Sequence, residues 1–279
     1  MSGDAGQGRP RRLLQEALAG APPRLDRVAV AIALLGDPGV DTEKLLATLD
    51  ELGDRVRRRQ PGGSVRERLE ALREVLGSEE GFRGDAEEYF APENSFLDRV
   101  LERKRGLPIT LSVLYVEVGL RAGLPMFGVS FPAHFLAGAQ LEDGQRVGID
   151  AFAGGRVLDA QGCQQLLDRV VPGAKFAPQL LVPASAKAVA WRMLNNLKRI
   201  YAEREEVERG LQVLELMLTV EPDHPGELRA RAMLYQKLGA FRAALADVET
   251  VLALSAQAPD RVQLERLRRV LIERVQLLN

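Results

Sequence analysis

Residues 106–125, GLPITLSVLYVEVGLRAGLP, constrain the fold more than any other part of the chain. Ile109, Leu111, Val113, Leu114, Val116, Val118 and Leu120 leave no wide polar face, so a helix here must be buried rather than laid on a surface. Glu117 and Arg121 interrupt the stretch, and it is too short for a membrane span. Pro108 suits a first helical turn, where a backbone N–H has no partner to lose, and Gly123 followed by Pro125 supplies a stop. A helix enclosed on every side needs other elements around it. A chain of 279 residues is long enough for one large or two medium domains that could provide them.

The flanking sequence is helical in period. Residues 1–12 are rich in glycine and charge and are expected to form a disordered tail. Leu25, Val28, Ala29, Ile32 and Leu35 make one apolar stripe. Leu45, Leu46, Leu49, Leu52 and Val56 make a second, with Asp41 or Thr42 as its N-cap. The basic run Arg57-Arg58-Arg59 reads as a solvated helix end, favoured by the C-terminal dipole. Another amphipathic helix is expected over 64–76. A polar loop follows, which Phe82, Tyr89, Phe90 and Phe96 should pin to a core, and then a short helix over 96–103 capped by Asn94 or Ser95.

After Pro125 the period shortens. Residues 126–131, 134–139, 147–150 and 156–158 alternate as three or four antiparallel strands, with a turn at Glu142-Asp143-Gly144 and another at Gly154-Gly155. Asp159 is placed to cap a helix reaching about residue 170, and 173–187 is rich in proline and alanine, as a linker would be. From 188 onward the pattern is helical and repeats. Tyr201 and Tyr235, Leu211 and Leu245, Leu218 and Leu252, and Pro225 and Pro259 are each 34 positions apart, the period of tetratricopeptide repeats. Two repeats and a capping helix over 261–278 would make a small solenoid in 188–279.

Composition closes several routes. The net charge of −1 gives no electrostatic case for nucleic acid or an anionic membrane. A single cysteine, Cys163, rules out an internal disulfide, and two histidines, His134 and His224, do not make a credible metal site. No phosphate-binding glycine loop or dinucleotide fingerprint is present, so no cofactor is expected. No apolar segment follows the basic start as in a signal peptide, which makes the cytoplasm the expected location.

The runs Pro92-Glu93-Asn94-Ser95-Phe96-Leu97, Arg105-Gly106-Leu107-Pro108-Ile109-Thr110-Leu111-Ser112, Phe131-Pro132-x-His134-Phe135-Leu136 and Ile149-Asp150-x-Phe152-x-Gly154-Gly155 together resemble the SirB family. The resemblance runs from about Leu25 to the end. It implies an α+β fold, with a papain- or transglutaminase-like core over 13–172 followed by the repeats. It also implies a nucleophilic cysteine at the start of the buried helix, with a histidine and an aspartate on adjacent strands. His134 and Asp150 match the last two. The cysteine position falls at about Pro108, which has no nucleophile.

Two functions follow. One is a non-catalytic protein that binds a protein or peptide partner through the repeats and keeps a vestigial His134/Asp150 pocket. The other is a hydrolase or acyl transferase in which Thr110 or Ser112 attacks, His134 acts as base and Asp150 orients it. The plain alternative for both hydroxyls is capping or core packing. Cys163, in the first turn of the helix after Asp159, has a reactive-looking place but the wrong order in the chain, and a free cysteine is commonly a small core hydrophobe. His224 lies in an inter-repeat loop and reads as structural.

Overall fold

The computed structural model describes residues 4–254 and 260–277. The chain divides into two compact units, Met1–Met193 and Leu194–Asn279.

In the first unit, helices α1 (Asp4–Ala19), α2 (Leu25–Gly36), α3 (Thr42–Arg59), α4 (Val65–Arg73) and α5 (Leu97–Arg103) precede the central helix α6 (Pro108–Arg121). Pro108 opens α6 at its first position, and Gly123 follows it with φ +81°, a conformation that glycine adopts without Cβ strain. Every residue from Pro108 to Gly119 is buried. Helices α2, α3, α4 and α5 pack on α6 from one side. On the other side lies a four-stranded antiparallel sheet in sequential order, β3 (Met126–Val129), β4 (Leu136–Gln140), β5 (Arg146–Asp150) and β6 (Arg156–Leu158). A two-residue parallel pair, β1 (Arg83–Gly84) with β2 (Arg105–Gly106), sits at the entrance to α6. Helix α7 (Ala160–Val170) follows the sheet, capped by the Asp159 carboxylate, which accepts the Gly162 amide at 2.8 Å.

A polar cluster around the end of α6 reaches from a buried Asp26 out to the surface. Arg121 donates to Asp26, to Glu117 and to Asp50, each at 2.6 Å, so one guanidinium ties α6 to α2 and α3. Arg24 adds a second pair of bonds to Asp26, at 3.0 and 2.6 Å. Burial pushes the Asp26 carboxyl up, but the hydrogen bonds from Arg24 and Arg121 outweigh it and hold the group below the usual carboxylate range. Glu117 is raised by burial and by the Asp26 charge beside it.

Several local expectations change. Residues 4–12 are not a tail but part of α1, which packs Leu14 and Ala17 against α2. The helix over 64–76 ends early, at Arg73, where a π-helical turn, Glu74–Glu79, takes over and brings Gly77 close under the carbonyl of Gly154. Of the loop aromatics only Phe82 and Phe96 are buried; Tyr89 and Phe90 are 39% and 46% exposed. Asn94 and Ser95 belong to a 3-10 turn, Pro92–Ser95, and do not cap α5. The 173–187 stretch does more than connect: Leu181 is buried with Leu158, Cys163 and Leu167, and Phe176 and Leu180 pack on that cluster. Apolar residues scattered among prolines conceal such an anchor, since they show no period.

In the second unit, the end of α8 (Ala186–Glu203) is followed by α9 (Val207–Val220), α10 (Pro225–Lys237), α11 (Phe241–Leu254) and α12 (Arg261–Gln276). Each of α9 to α12 packs on its neighbour in sequence, as stacked helix pairs do. Leu218, Leu228, Ala232, Ala244, Val248 and Val251 fill the core between them. His224 caps α10, its Nδ1 accepting the Glu227 amide at 3.2 Å. Pro259, the last residue of the repeat alignment, and Leu278 lie outside the described residues. The final helix carries charge but also leaves Val262 and Val270 60% and 45% exposed.

Replacing Asp26 with alanine would leave the shielded Arg121 guanidinium without its fully buried carboxylate partner, while Arg24 can turn to solvent. A loss of about 3–5 kcal/mol in unfolding free energy is expected, measured by urea denaturation. Arg57→Ala, which removes only an exposed pair with Asp54 and a bond to the Arg121 carbonyl, should cost about 1 kcal/mol or less.

Candidate functional site

Strand pairing sets the site. Ala137 on β4 faces Ile149 on β5, which leaves His134, three positions before Ala137, diagonal to Asp150, the last residue of β5. His134 is not within its strand but in the turn leading into it, after Ala133, whose φ of +52° is unusual for a residue with a Cβ. The pair meets: His134 Nε2 lies 3.2 Å from Asp150 Oδ1, and both side chains are largely buried. The Asp150 oxygen also accepts the Ala153 amide at 3.2 Å. Burial pushes the Asp150 carboxyl up, but the hydrogen bond and charge of His134 and the Ala153 amide outweigh it, and the group stays below its ordinary value. An ionised carboxylate can only accept, so in the neutral ring Nε2 holds the proton and Nδ1 is left as the acceptor.

The hydroxyls go elsewhere. Ser112 Oγ donates to the carbonyl of Phe135 at 3.3 Å, so it ties α6 to the residue after His134 and acts as a positioning group. Thr110 is fully buried, and its hydroxyl has no hydrogen-bond partner. Neither bonds to a ring nitrogen of His134. Pro108 sits in the first turn of α6 and contributes neither a side-chain donor nor a backbone N–H. Cys163 is fully buried in the cluster between the sheet and α7, and burial pushes its thiol up to about 11, the opposite of what a nucleophile requires. Among the described residues, no group of three or more His, Cys, Asp or Glu side chains is placed to hold a metal ion.

Other residues complete the surroundings of the dyad without having been marked for it in the sequence. Phe152, in the turn after Asp150, stands edge-on to the His134 ring at 6.3 Å, and Tyr89 lies 6.1 Å from Phe152 on its other side. The Gly84 amide donates to the Phe152 carbonyl at 2.9 Å, which brings the 81–90 loop to the same turn. Asn94, fully buried, explains the run it belongs to. Its amide donates to the Glu88 carbonyl at 2.7 Å, its side-chain oxygen accepts from Arg103 at 3.1 Å, and its carbonyl accepts the Leu107 amide at 3.0 Å. One residue thereby ties the loop to α5 through its side chain and to the entrance of α6 through its backbone carbonyl. An asparagine after a proline is visible in sequence as turn chemistry, but its long-range partners are not.

The turn carrying Asp150 and Phe152 is locked from below by Tyr115 of α6. A Cβ on Gly155, whose φ is +83°, would lie 2.5 Å from the Tyr115 ring. The Tyr115 hydroxyl is buried without a partner, and burial raises its pKa strongly.

Two measurements check this geometry. Tyr115→Phe discards an unsatisfied hydroxyl and should leave urea stability unchanged or raise it by about 1 kcal/mol, whereas Gly155→Ala should lower it by about 1–3 kcal/mol. The second uses linkage. A carboxyl depressed on folding adds stability that is complete above its unfolded value, near 3.9, and is lost as pH falls through the folded value. Asp150→Asn should therefore flatten the acid limb of stability between about pH 5 and 3 relative to wild type, with denaturation midpoints followed across that range.

Comparisons with known proteins agree with this architecture. Residues 43–195, more than half of the chain, match the transglutaminase-like superfamily, and residues 197–271 match the tetratricopeptide repeat. A UPF0162 protein of Xylella fastidiosa is 36% identical over 191 residues, covering 67% of this chain and 68% of that protein. A UPF0162 protein of Pseudomonas aeruginosa is 30% identical over 261 residues, covering 91% and 93%. The human F-box only protein 21 is 32% identical over 182 residues, which are 61% of this chain but 28% of that protein. No solved structure matches. The chain belongs to the transglutaminase-like superfamily, with tetratricopeptide repeats following its transglutaminase-like domain.

Proposed function

We propose that this chain is a non-catalytic transglutaminase-like protein of the SirB kind. On this reading it acts in the cytoplasm as a protein-binding or regulatory module, through a protein or peptide partner held by its repeats. The observation that supports the proposal is that, among the described residues, Pro108, Ser112 and Cys163 do not supply a nucleophile to the His134–Asp150 dyad. Pro108 opens the helix where attack would start, Ser112 gives its hydroxyl to the Phe135 carbonyl, and Cys163 is a buried, poorly ionising thiol elsewhere in the core. The dyad then serves the fold: it joins the turn before β4 to the end of β5, and Phe152 and Tyr89 pack around it. Two further points support a binding role. Stacked helix pairs present surfaces suited to extended or helical segments. The same domain also forms a minor part of a much longer relative, as a module combined with other parts would.

The alternative, a hydrolase or acyl transferase, has one observation in its favour: the Thr110 hydroxyl is not engaged by any acceptor. A fluorophosphonate probe and iodoacetamide separate the readings. Expected are no phosphonate labelling above a denatured control, and alkylation of Cys163 only after unfolding. Phosphonate labelling of wild type that disappears in His134→Ala and in either Thr110→Ala or Ser112→Ala would establish the enzyme instead. For the binding role, partners co-purifying with the full chain should be lost when residues 194–279 are removed; partners retained without them would count against the repeats as the docking surface.

A further inference from the structure

The last helix of the second unit leaves one face uncovered. In the better-formed repeat the first helix packs on the second that follows it: Leu228 and Ala232 of α10 are buried with Ala244, Val248 and Val251 of α11. One repeat period on, 34 positions later, stand Val262 and Arg266 of α12. There the same face meets no following helix among the described residues, and both side chains are exposed. While α12 buries Leu264 and Leu271 in the core of the unit, its other side carries Val262, Arg266, Val270, Glu273 and Leu277. Their spacings of four, four, three and four residues place them in one row along the helix. Val262, Val270 and Leu277 are 60%, 45% and 79% exposed, whereas a solenoid ordinarily closes with a polar outer face.

The row is complementary to its own reverse. Read in either direction it runs apolar, charged, apolar, charged, apolar, with the two charges opposite in sign. Counted outward from Val270, the steps are four and eight residues towards the N-terminus and three and seven towards the C-terminus, equal to within one residue, about 1.5 Å of helix. Two copies of α12 laid antiparallel about a two-fold axis at Val270 therefore set Val262 against Leu277, Arg266 against Glu273, and Val270 against itself. Arg266 and Glu273 stand about 10 Å apart along their own helix, too far to meet within it. Among the described residues neither is in an ion pair, although Arg261 pairs with Glu265 and Arg268 with Glu249 elsewhere on the helix. Arg269 flanks the axis and would stand near its own symmetry mate, a repulsion that Glu273, one turn on, offsets in part.

We infer that the chain self-associates, with α12 of one copy lying antiparallel on α12 of a second. Successive helices of such a solenoid are antiparallel, so each copy supplies the helix that would continue the other's stack. The reversed match of charge and apolar positions selects a second copy over an unrelated helix, which has no need of it. A single pair of helices buries less than about 1,200 Å², the size of weak and transient interfaces, so the dimer forms and dissociates with concentration rather than being obligate. The surface is separate from the partner-binding role proposed for the repeats, and stands or falls without it.

Sedimentation velocity of the full chain from about 5 to 500 µM, which spans the affinity of a small interface, tests the proposal. A monomer–dimer equilibrium is expected. Arg266→Glu and Glu273→Arg each set like charges together twice across the axis, and each should weaken the dimer about tenfold. The two combined should restore it, because the exchanged pair is again complementary. Val270→Lys should abolish the dimer over the same range, and Val270→Ser should weaken it more mildly. Circular dichroism should show that every variant remains folded, as expected for exposed positions. Wild type that stays monomeric throughout, a dimer indifferent to these substitutions, or a double exchange no better than the single ones would overturn the proposal.

Discussion

The first unit depends on the placement of one guanidinium. Arg121 lies at the last turn of the buried helix, and its three carboxylate partners come from α2, from α3 and from α6 itself. Arg121 and the carboxylates of Asp26 and Glu117 are largely shielded from water while Asp50 reaches it from the solvent side, so removing Asp26 or Glu117 leaves a charge in a medium that solvates it poorly. The geometry therefore specifies more than it stabilises. It sets the rotation of α6 about its axis, and with that the direction in which Thr110, Ser112 and Tyr115 point. Gly53 of α3 makes the arrangement possible, since a Cβ there would stand 2.5 Å from that of Arg121.

Much of this frame is readable in the residues. A helix with no polar face, a proline in its first turn and a glycine after its last can hardly be anything but central, and the alternating segments after Pro125 can hardly avoid forming hairpins. The capping role of Asp159 also follows from period and spacing, whereas the pairing of His134 with Asp150 is implied by the family resemblance. What escaped is what depends on partners distant in sequence. Phe82 and Tyr89 are both aromatic residues in a polar loop, yet one is enclosed and the other is not, because only Phe82 lies where the chain turns back on the core. The π-helical turn at Glu74–Glu79 has no signature of its own, although within it position 77 admits only glycine, since a Cβ there would meet the Gly154 carbonyl. Asn94 looked like a cap and is a tie between a loop and a helix entrance. Leu181 looked like linker sequence and is core.

The site shows the same division. The histidine and the acid are legible because each sits in a recognisable run, and the geometry brings them together. The fate of the hydroxyls was not legible, since Ser112 and Thr110 differ only by where their turn of helix faces. Ser112 holds the chain just beyond His134, so the serine that could have been a nucleophile helps to keep the imidazole in place. Thr110 is enclosed with nothing to bond to, a cost of about 1–3 kcal/mol that the surrounding packing offsets.

The Arg121 cluster also bears on the order in which the chain can assemble. Asp26 and Arg121 are separated by 95 residues, so their contact waits for a long loop to close, whereas the stacked helices after Val207 touch mainly their neighbours in sequence. During synthesis α2 and α3 emerge before the central helix that covers them, with α1 available to pack only on α2. The faces of α2 and α3 that pack on α6 stay uncovered until residue 121 has left the ribosome. The early helices thus have to remain unaggregated in the interval, which makes the dense charge on the outer face of α3, from Glu43 to Arg59, a protection during folding as much as a feature of the finished surface.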